Sequence, residues 1–450
     1  MIKPVETWLE ALRYGAEQVR QAKRRQTRVD EWFFVQEIRM EESEAMSAEG
    51  KDVASAAGRS ELLCRMASRI PISILPGSSV AGSQDCAFSP SYALINPSFK
   101  VERFAGYCDP CAIYADVTPD HGNGLTPERI AKVRAWVEKS SFVNRLGEIY
   151  RQTGGETKEV VYFIEPVTGH TIPDLRPLIR DGVRTAQARA RSGGNAYGEA
   201  MAGALTAALI LGERYRELAE NMAGTAEDSA EKARLYRIAR LLKRVPAQGA
   251  YNLHEAIQSF VLLWQVMALE QAPNPYAFSV GNLDRILQPY FREQEISRAE
   301  SVELVRHLLT FFQVGSRCWA ISQNVIVGGR DAQGNDLTCD MTGVVLDAFF
   351  ASNDPQPALS VKVHANTPEG IFRSLGRFFF TPGHSTPSLF NDDTMMENLR
   401  QQGIAEEDLA DYAIAGCQEP LVMGKSSLNT TNSWLNLAKV LELTLNDGTS

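Results

Sequence analysis

"ALSVKVHANTPEGIFRSLGRFFFTPGHSTPSLFN" (residues 358–391) reads as strand, helix, strand. In its first part, 358–364, Leu359, Val361 and Val363 alternate with Ser360, Lys362 and His364, the period-two pattern of a strand with one buried face. A helix over 367–379 and a second strand, "PSLFN" (387–391), follow. The alternation extends both ways. Upstream lie a helix over 341–351 and the strand "NVIVGG" (324–329), and downstream two short helices over 393–402 and 406–412. Strand and helix in strict turn build parallel sheet, so the last third of the chain is α/β. The first 320 residues or so are helix-rich, with apolar positions three and four apart over 4–24, 127–147, 197–221, 227–244, 252–271 and 297–314. One further strand, "EVVYFI" (159–164), interrupts them. After 430 a helix is expected over Ser433 to Leu445, stopped by Asn446-Asp447-Gly448.

Composition bounds the function. The 450 residues carry a net charge of −9, with 44 % hydrophobic and 22 % charged residues, as in an ordinary soluble globular protein. The longest basic tract is "KRR" (23–25), too little clustered charge for a nucleic acid ligand. The N-terminus is amphipathic and charged throughout, with no apolar core of a signal peptide, and no apolar run is long enough to span a membrane. A cytoplasmic location is expected, with the seven cysteines as thiols. "CDPC" (108–111), with His121 beyond it, has metal-ligand spacing, but one such pair does not make a zinc site and no metal is expected. The glycines of "VGGRDAQG" (327–334) match neither phosphate-cradle pattern and read as a hairpin or loop.

"GCQEP" (416–420) concentrates the chemistry. Read as extended chain, it turns Cys417 and Glu419 toward one space and Gln418 away. Gly416 admits close approach, and Pro420 suits a loop tip or an edge. The residues alone leave two readings open. Cys417 is either a small buried hydrophobe or a nucleophile with His384 or His170 as its base, and a carboxylate facing a thiol works against thiolate formation. His170, in "TGHTIP", otherwise serves as a structural hydrogen-bonding residue, and His364 lies on the polar face of its strand, turned either into a cavity or outward.

The chain resembles the glycyl radical enzymes, the pyruvate formate-lyase-like superfamily, through collinear segments. They are "GHTIPD" (169–174), "NLHEAIQSFVLLWQVMALE" (252–270), "FSVGNLDRILQPYF" (278–291), "NVIVGGRDAQGND" (324–336), "DPQPALSVKVH" (354–364), "FND" (390–392), "GCQEP" and "NLAKVLELTLNDG" (436–448). The resemblance implies a ten-stranded α/β barrel of two five-stranded halves sheathed by helices. This chain would supply one helix-sheathed half, as a single pyruvate formate-lyase-like domain over 1–450, helix-rich to about 320 and with strands and cysteine loop over about 321–450. For Cys417 it implies a thiyl radical, formed by hydrogen transfer to a glycyl radical, that abstracts hydrogen from a substrate carbon. Such a sulfur needs a dry cavity and no lowered pKa. Members with C-x-E-P are mostly eliminating enzymes, which makes Glu419 the proton-moving group of a lyase that expels water, an amine or a sulfur group from a small polar metabolite. An arylacetate-type radical decarboxylase and a non-catalytic subunit of a split enzyme are the alternatives. No Cys-Cys pair occurs, so acyl transfer is disfavoured.

The sequence departs from the family pattern in four places. A His-Asp pair found downstream of the cysteine in glycerol and choline members is Thr430-Thr431 here, and a His-Ser pair is Tyr276-Ala277. The usual arginine after the following glycine is Asn282. Tyr276, Ser279, Thr430 and Thr431 are thus the substrate-binding candidates, with hydroxyls in place of charge. The R-V-x-G-Y-like motif of the radical glycine does not occur, and the chain is expected to be part of a longer protein, one subunit of a split enzyme or an inactive remnant. No directly bound cofactor is implied. The implied partners are a radical S-adenosylmethionine activase with an iron-sulfur cluster, a glycine-bearing segment or subunit, and a second copy in a homodimer.

Overall fold

The computed structural model describes residues 7–25, 31–82, 126–140, 160–167, 170–270, 278–313, 323–354, 356–416, 418–426 and 431–449. Its strands are β1 (Val161–Val167), β2 (Gly281–Asn282), β3 (Asn324–Gly328), β4 (Ala358–Val363), β5 (Ser388–Asn391), β6 (Tyr412–Ala415), β7 (Glu419–Val422) and β8 (Thr431–Leu435). The expected alternation produces the expected sheet. Strands β2, β3, β4 and β5 pair in that order, all parallel, and helices Asp340–Ser352 and Glu369–Phe380 make the last two crossovers. The β6–β7 hairpin lies against β2 and β3, and β1 pairs antiparallel with β8. "VGGRDAQG" forms the expected hairpin, closed by a bridge between Arg330 and Asp336.

The core explains why the helices lie where they do. Leu253–Glu270 is apolar nearly all round and runs through the interior, its Trp264 stacked on Phe260 and edge-on to Phe278 and Phe312. The buried Gln258 side chain exchanges two hydrogen bonds with the backbone of Ala81, satisfying a loop as a neighbouring strand would. A second core joins helices Glu31–Ala48, Ala56–Arg69, Ala196–Thr225 and Ser229–Leu242. Small residues let those helices approach; a Cβ on Gly203 would stand 2.4 Å from the Ser60 hydroxyl oxygen.

One expectation is sharpened and one corrected. In strand β4 the alternation gave one buried face and left the direction of the other open, and the structure turns both inward: Ser360 and Lys362 are as buried as Val361, with the β6–β7 hairpin over the polar side. The final helix begins at Leu437, not Ser433. Residues Ser433–Leu435 pair with Phe163, Tyr162 and Val161, and Asn436 caps the helix by accepting from the Lys439 N–H.

Candidate functional site

The hairpin whose two strands flank position 417 in sequence, and whose second strand begins at Glu419, is made of residues suited to being threaded through a core. Tyr412, Ala413, Ile414 and Ala415 of β6 are all buried, and two of the four are small. Their partners in β7 are Val422, Leu421, Pro420 and Glu419. Pro420 is tolerated because a two-stranded ribbon has an open edge. The reversal lies between Ala415 and Glu419. Gly416 has φ +42° and Gln418 φ +97°, and the Gln418 N–H donates to the Ala415 carbonyl at 3.0 Å. The extended reading of "GCQEP" is therefore corrected: the chain turns at Gln418, so a two-residue spacing there does not fix a common face. Cys417 itself lies outside the described residues, as do Tyr276, Thr430, "CDPC" and His121. Thr431 is described only in its backbone, paired with Val167.

Glu419 opens the second arm. His170 Nδ1 stands 3.3 Å from its Oε1, while its Oε2, closed off from solvent, has no hydrogen-bond partner among the described residues. His170 is buried and held at φ +52°, a left-handed conformation uncommon for a side-chain-bearing residue. Histidine and carboxylate from segments some 250 positions apart thus meet at the turn of the hairpin. His384, the other histidine considered as a base, stacks on Phe350 with ring centroids 4.2 Å apart. Ser279 is buried beside the His170 segment: its N–H donates to the Thr171 carbonyl and its hydroxyl accepts from the Asn324 N–H at 3.2 Å, leaving the hydroxyl proton to donate elsewhere. His364 is buried, with Nε2 3.0 Å from an Asp336 oxygen.

The base of the hairpin is held by cations the sequence reading passed over. Lys362 Nζ donates to the carbonyls of Ala410 (3.2 Å) and Tyr412 (2.5 Å) and sits 3.9 Å from the centre of the Tyr412 ring. Burial, with Arg285 nearby, pushes this ammonium down to about 7, against the pull of Asp392, Asp284 and Asp411. Arg285 Nη2 donates to the same Ala410 carbonyl at 2.7 Å, and Asn282 Nδ2 reaches the Tyr412 carbonyl and Met423 Sδ. Asn282 therefore supports the hairpin. Burial, then the Asp392 carboxylate, hold the Tyr412 phenol far above its ordinary range, so it stays protonated. The signal for Lys362 was present in sequence as a lone cation between two valines of a strand.

Arg176 completes the scaffold, with Nε and Nη2 on Asp174 (2.8 and 3.0 Å) and Nη1 and Nη2 on Asp411 (3.0 and 2.6 Å). The arrangement presents a carboxylate with an open oxygen next to a cysteine turn, inside a braced interior. The Glu419 side chain is 30 % exposed, with Oε2 closed off from solvent, and is placed to exchange a proton with a group that enters the site. Among the described residues no cluster of three His, Cys, Asp or Glu side chains is placed to hold a metal ion, and no helix is long and apolar enough to cross a membrane.

A family model described as pyruvate formate lyase-like matches residues 14–450. The chain is 31 % identical over 268 residues to the trans-4-hydroxy-L-proline dehydratase of Clostridioides difficile, covering 56 % of this chain and 33 % of that enzyme. It is 25 % identical over 261 residues to an isethionate sulfite-lyase of Desulfovibrio desulfuricans, covering 54 % and 31 %. The glycerol-bound B12-independent glycerol dehydratase of Clostridium butyricum superposes with a TM-score of 0.75 at 22 % identity, over 100 % of this chain and 59 % of that one. The matches thus span about a third of the curated relatives' length and under two thirds of the solved structure's. The fold is that of a helix-sheathed part of the glycyl radical enzyme α/β barrel, as expected.

Proposed function

The chain belongs to the pyruvate formate lyase-like family, and we propose that it supplies the thiyl-bearing part of a glycyl radical lyase acting on a small polar metabolite. In this reading Cys417 gives its S–H hydrogen to a glycyl radical, breaking S–H as a C–H bond forms, and the sulfur then takes a hydrogen atom from a substrate carbon. Glu419 moves the proton that accompanies loss of water, an amine or a sulfur group, and His170 holds the carboxylate. Tyr276, Ser279, Thr430 and Thr431 bind the substrate, with Ser279 the one whose environment is described. The domain reading is one pyruvate formate-lyase-like unit, completed by a glycine-bearing segment or subunit and charged by a radical S-adenosylmethionine activase.

The observation that carries this reading is the Glu419 carboxylate at the cysteine turn, touched by buried His170 and with Oε2 closed off from solvent and unpartnered among the described residues. A group so placed is poised for proton transfer to something that enters the site. The names of the dehydratase and sulfite-lyase relatives support elimination as the reaction class. The test is turnover of the activated, complete enzyme on hydroxylated, aminated and sulfonated small substrates. Cys417→Ala should abolish it and Glu419→Gln should lower kcat by about 100-fold or more, the range for loss of a general acid or base. Undiminished turnover in either variant would sink the mechanism.

A further inference from the structure

The His170 segment touches the hairpin at two levels. At the turn, His170 meets Glu419. At the base, Arg176 bonds Asp174 of that segment and Asp411, the residue before β6, through all three guanidinium nitrogens. One backbone bond joins the same two pieces, from the Gly424 N–H to the Ile172 carbonyl at 2.8 Å, next to the bond that closes the hairpin itself, from the Met423 N–H to the Asp411 carbonyl at 3.1 Å. Gly424, at φ +68°, permits this approach, since a Cβ there would lie 2.7 Å from the Asp174 Cβ. Arg285 also reaches Asp411, at 3.4 Å, but among the described residues Arg176 is the cation that bridges it to Asp174, and without that bridge the like charges of the two carboxylates would push the pieces apart.

We infer that Arg176 is a positioning residue: by clamping Asp174 to Asp411 it makes the His170 segment and the cysteine hairpin one rigid unit and so sets the His170–Glu419 contact. This rests on the proposed role of Glu419. The planar guanidinium is the reason the residue is arginine, because a single ammonium cannot serve two carboxylates bidentately. The clamp touches no reacting atom. Its effect on turnover runs through geometry, where a displacement on the order of 1 Å can cost about 100-fold in rate.

The experiment compares Arg176→Gln, Arg176→Lys and Glu419→Gln in the activated, complete enzyme, normalised to folded protein. Arg176→Gln should lower kcat about tenfold with KM within about twofold, and Arg176→Lys, which keeps the charge but cannot bridge both carboxylates bidentately, should recover only part of that loss, the pattern of a misplaced group and not of a lost substrate contact. Backbone hydrogen exchange supplies a readout independent of turnover. The segment around Gly424 should exchange at least about tenfold faster in Arg176→Gln and at the wild-type rate in Glu419→Gln. Wild-type kcat per folded molecule in Arg176→Gln, with Glu419→Gln impaired, overturns the clamp and leaves the function standing. Wild-type turnover in Glu419→Gln overturns the function, and the clamp then stands or falls on the exchange of Gly424.

Discussion

Lys362 is the residue on which the electrostatics of the site turn. It lies fully buried, its ammonium bonded to two carbonyls, and burial lowers its pKa to about 7 from an unfolded value near 10.4. Between those two values the unfolded chain binds more protons than the folded one, so this residue makes stability rise with pH, by up to about 1.4 kcal/mol per unit. Below about pH 7 both states are charged and its penalty is present in full. Denaturant unfolding at pH 7, 8.5 and 9.5 should therefore show wild type gaining on Lys362→Met at each step. Parallel pH profiles for the two proteins would show that the ammonium is not desolvated as its surroundings require. Why keep a costly cation there? Arg285 and Asn282 already donate to the two carbonyls that flank Asp411, so what Lys362 adds is a second hydrogen bond to each and a cation over the Tyr412 ring.

Helices Leu253–Glu270 and Arg298–Phe311 each carry a histidine that fastens a peripheral element, His254 half-buried and His307 buried. His307 Nε2 donates to the Leu12 carbonyl of helix Trp8–Arg25 at 3.0 Å, and its Nδ1 accepts the Ser79 N–H; His254 Nε2 donates to the Ser79 carbonyl at 2.7 Å. Burial holds them at about 3 and about 4, well under the usual 6.5, so the acceptor nitrogen of His307 stays unprotonated. Above pH 6.5 both states of the chain carry these rings neutral and nothing changes. As pH falls from 6.5 toward 4 the unfolded chain takes up protons that the folded one refuses, and stability falls. His307→Gln, which keeps an acceptor and a donor, should lose about 2 kcal/mol less than wild type between pH 7 and pH 4.5 in urea unfolding. An equal loss in both proteins would remove His307 from the acid response. Elements of this kind were legible where the residue pattern is local: the parallel strands and their crossover helices fall within a few residues of the periodicity. What the sequence reading missed depends on partners far along the chain. The hairpin requires φ +97° at Gln418, an uncommon state for a residue with a side chain, and β8 is strand only because β1 lies beside it. The inward faces of β4 and of Asn282 became visible only with β6 in place.

At the scale of the molecule, the apolar surface is uneven. Leu437, Leu441 and Leu445 fall four apart on one face of helix Leu437–Leu445, at 71 %, 59 % and 74 % exposed, and no residue of that helix is buried. Leu389 on β5, the outer strand of the parallel sheet among the described residues, and Phe379 and Phe380 at the end of the preceding helix are also exposed. A run of leucines on one helical face supplies little stability while it faces water and a good deal once covered. The superposed glycerol dehydratase extends well beyond the part matched here, and the proposed glycine-bearing segment or subunit is the occupant this face suits. Leu441→Glu should then leave the unfolding free energy of the 450-residue chain within about 0.5 kcal/mol of wild type, as surface changes do. In the complete protein, with the glycine-bearing part present, the same change should cost about 2–3 kcal/mol, because it buries an unpaired carboxylate where a leucine packed. Denaturant unfolding of both forms measures the two numbers. A large loss in the 450-residue chain, or none in the complete protein, would mean that this face is covered by something other than the proposed companion.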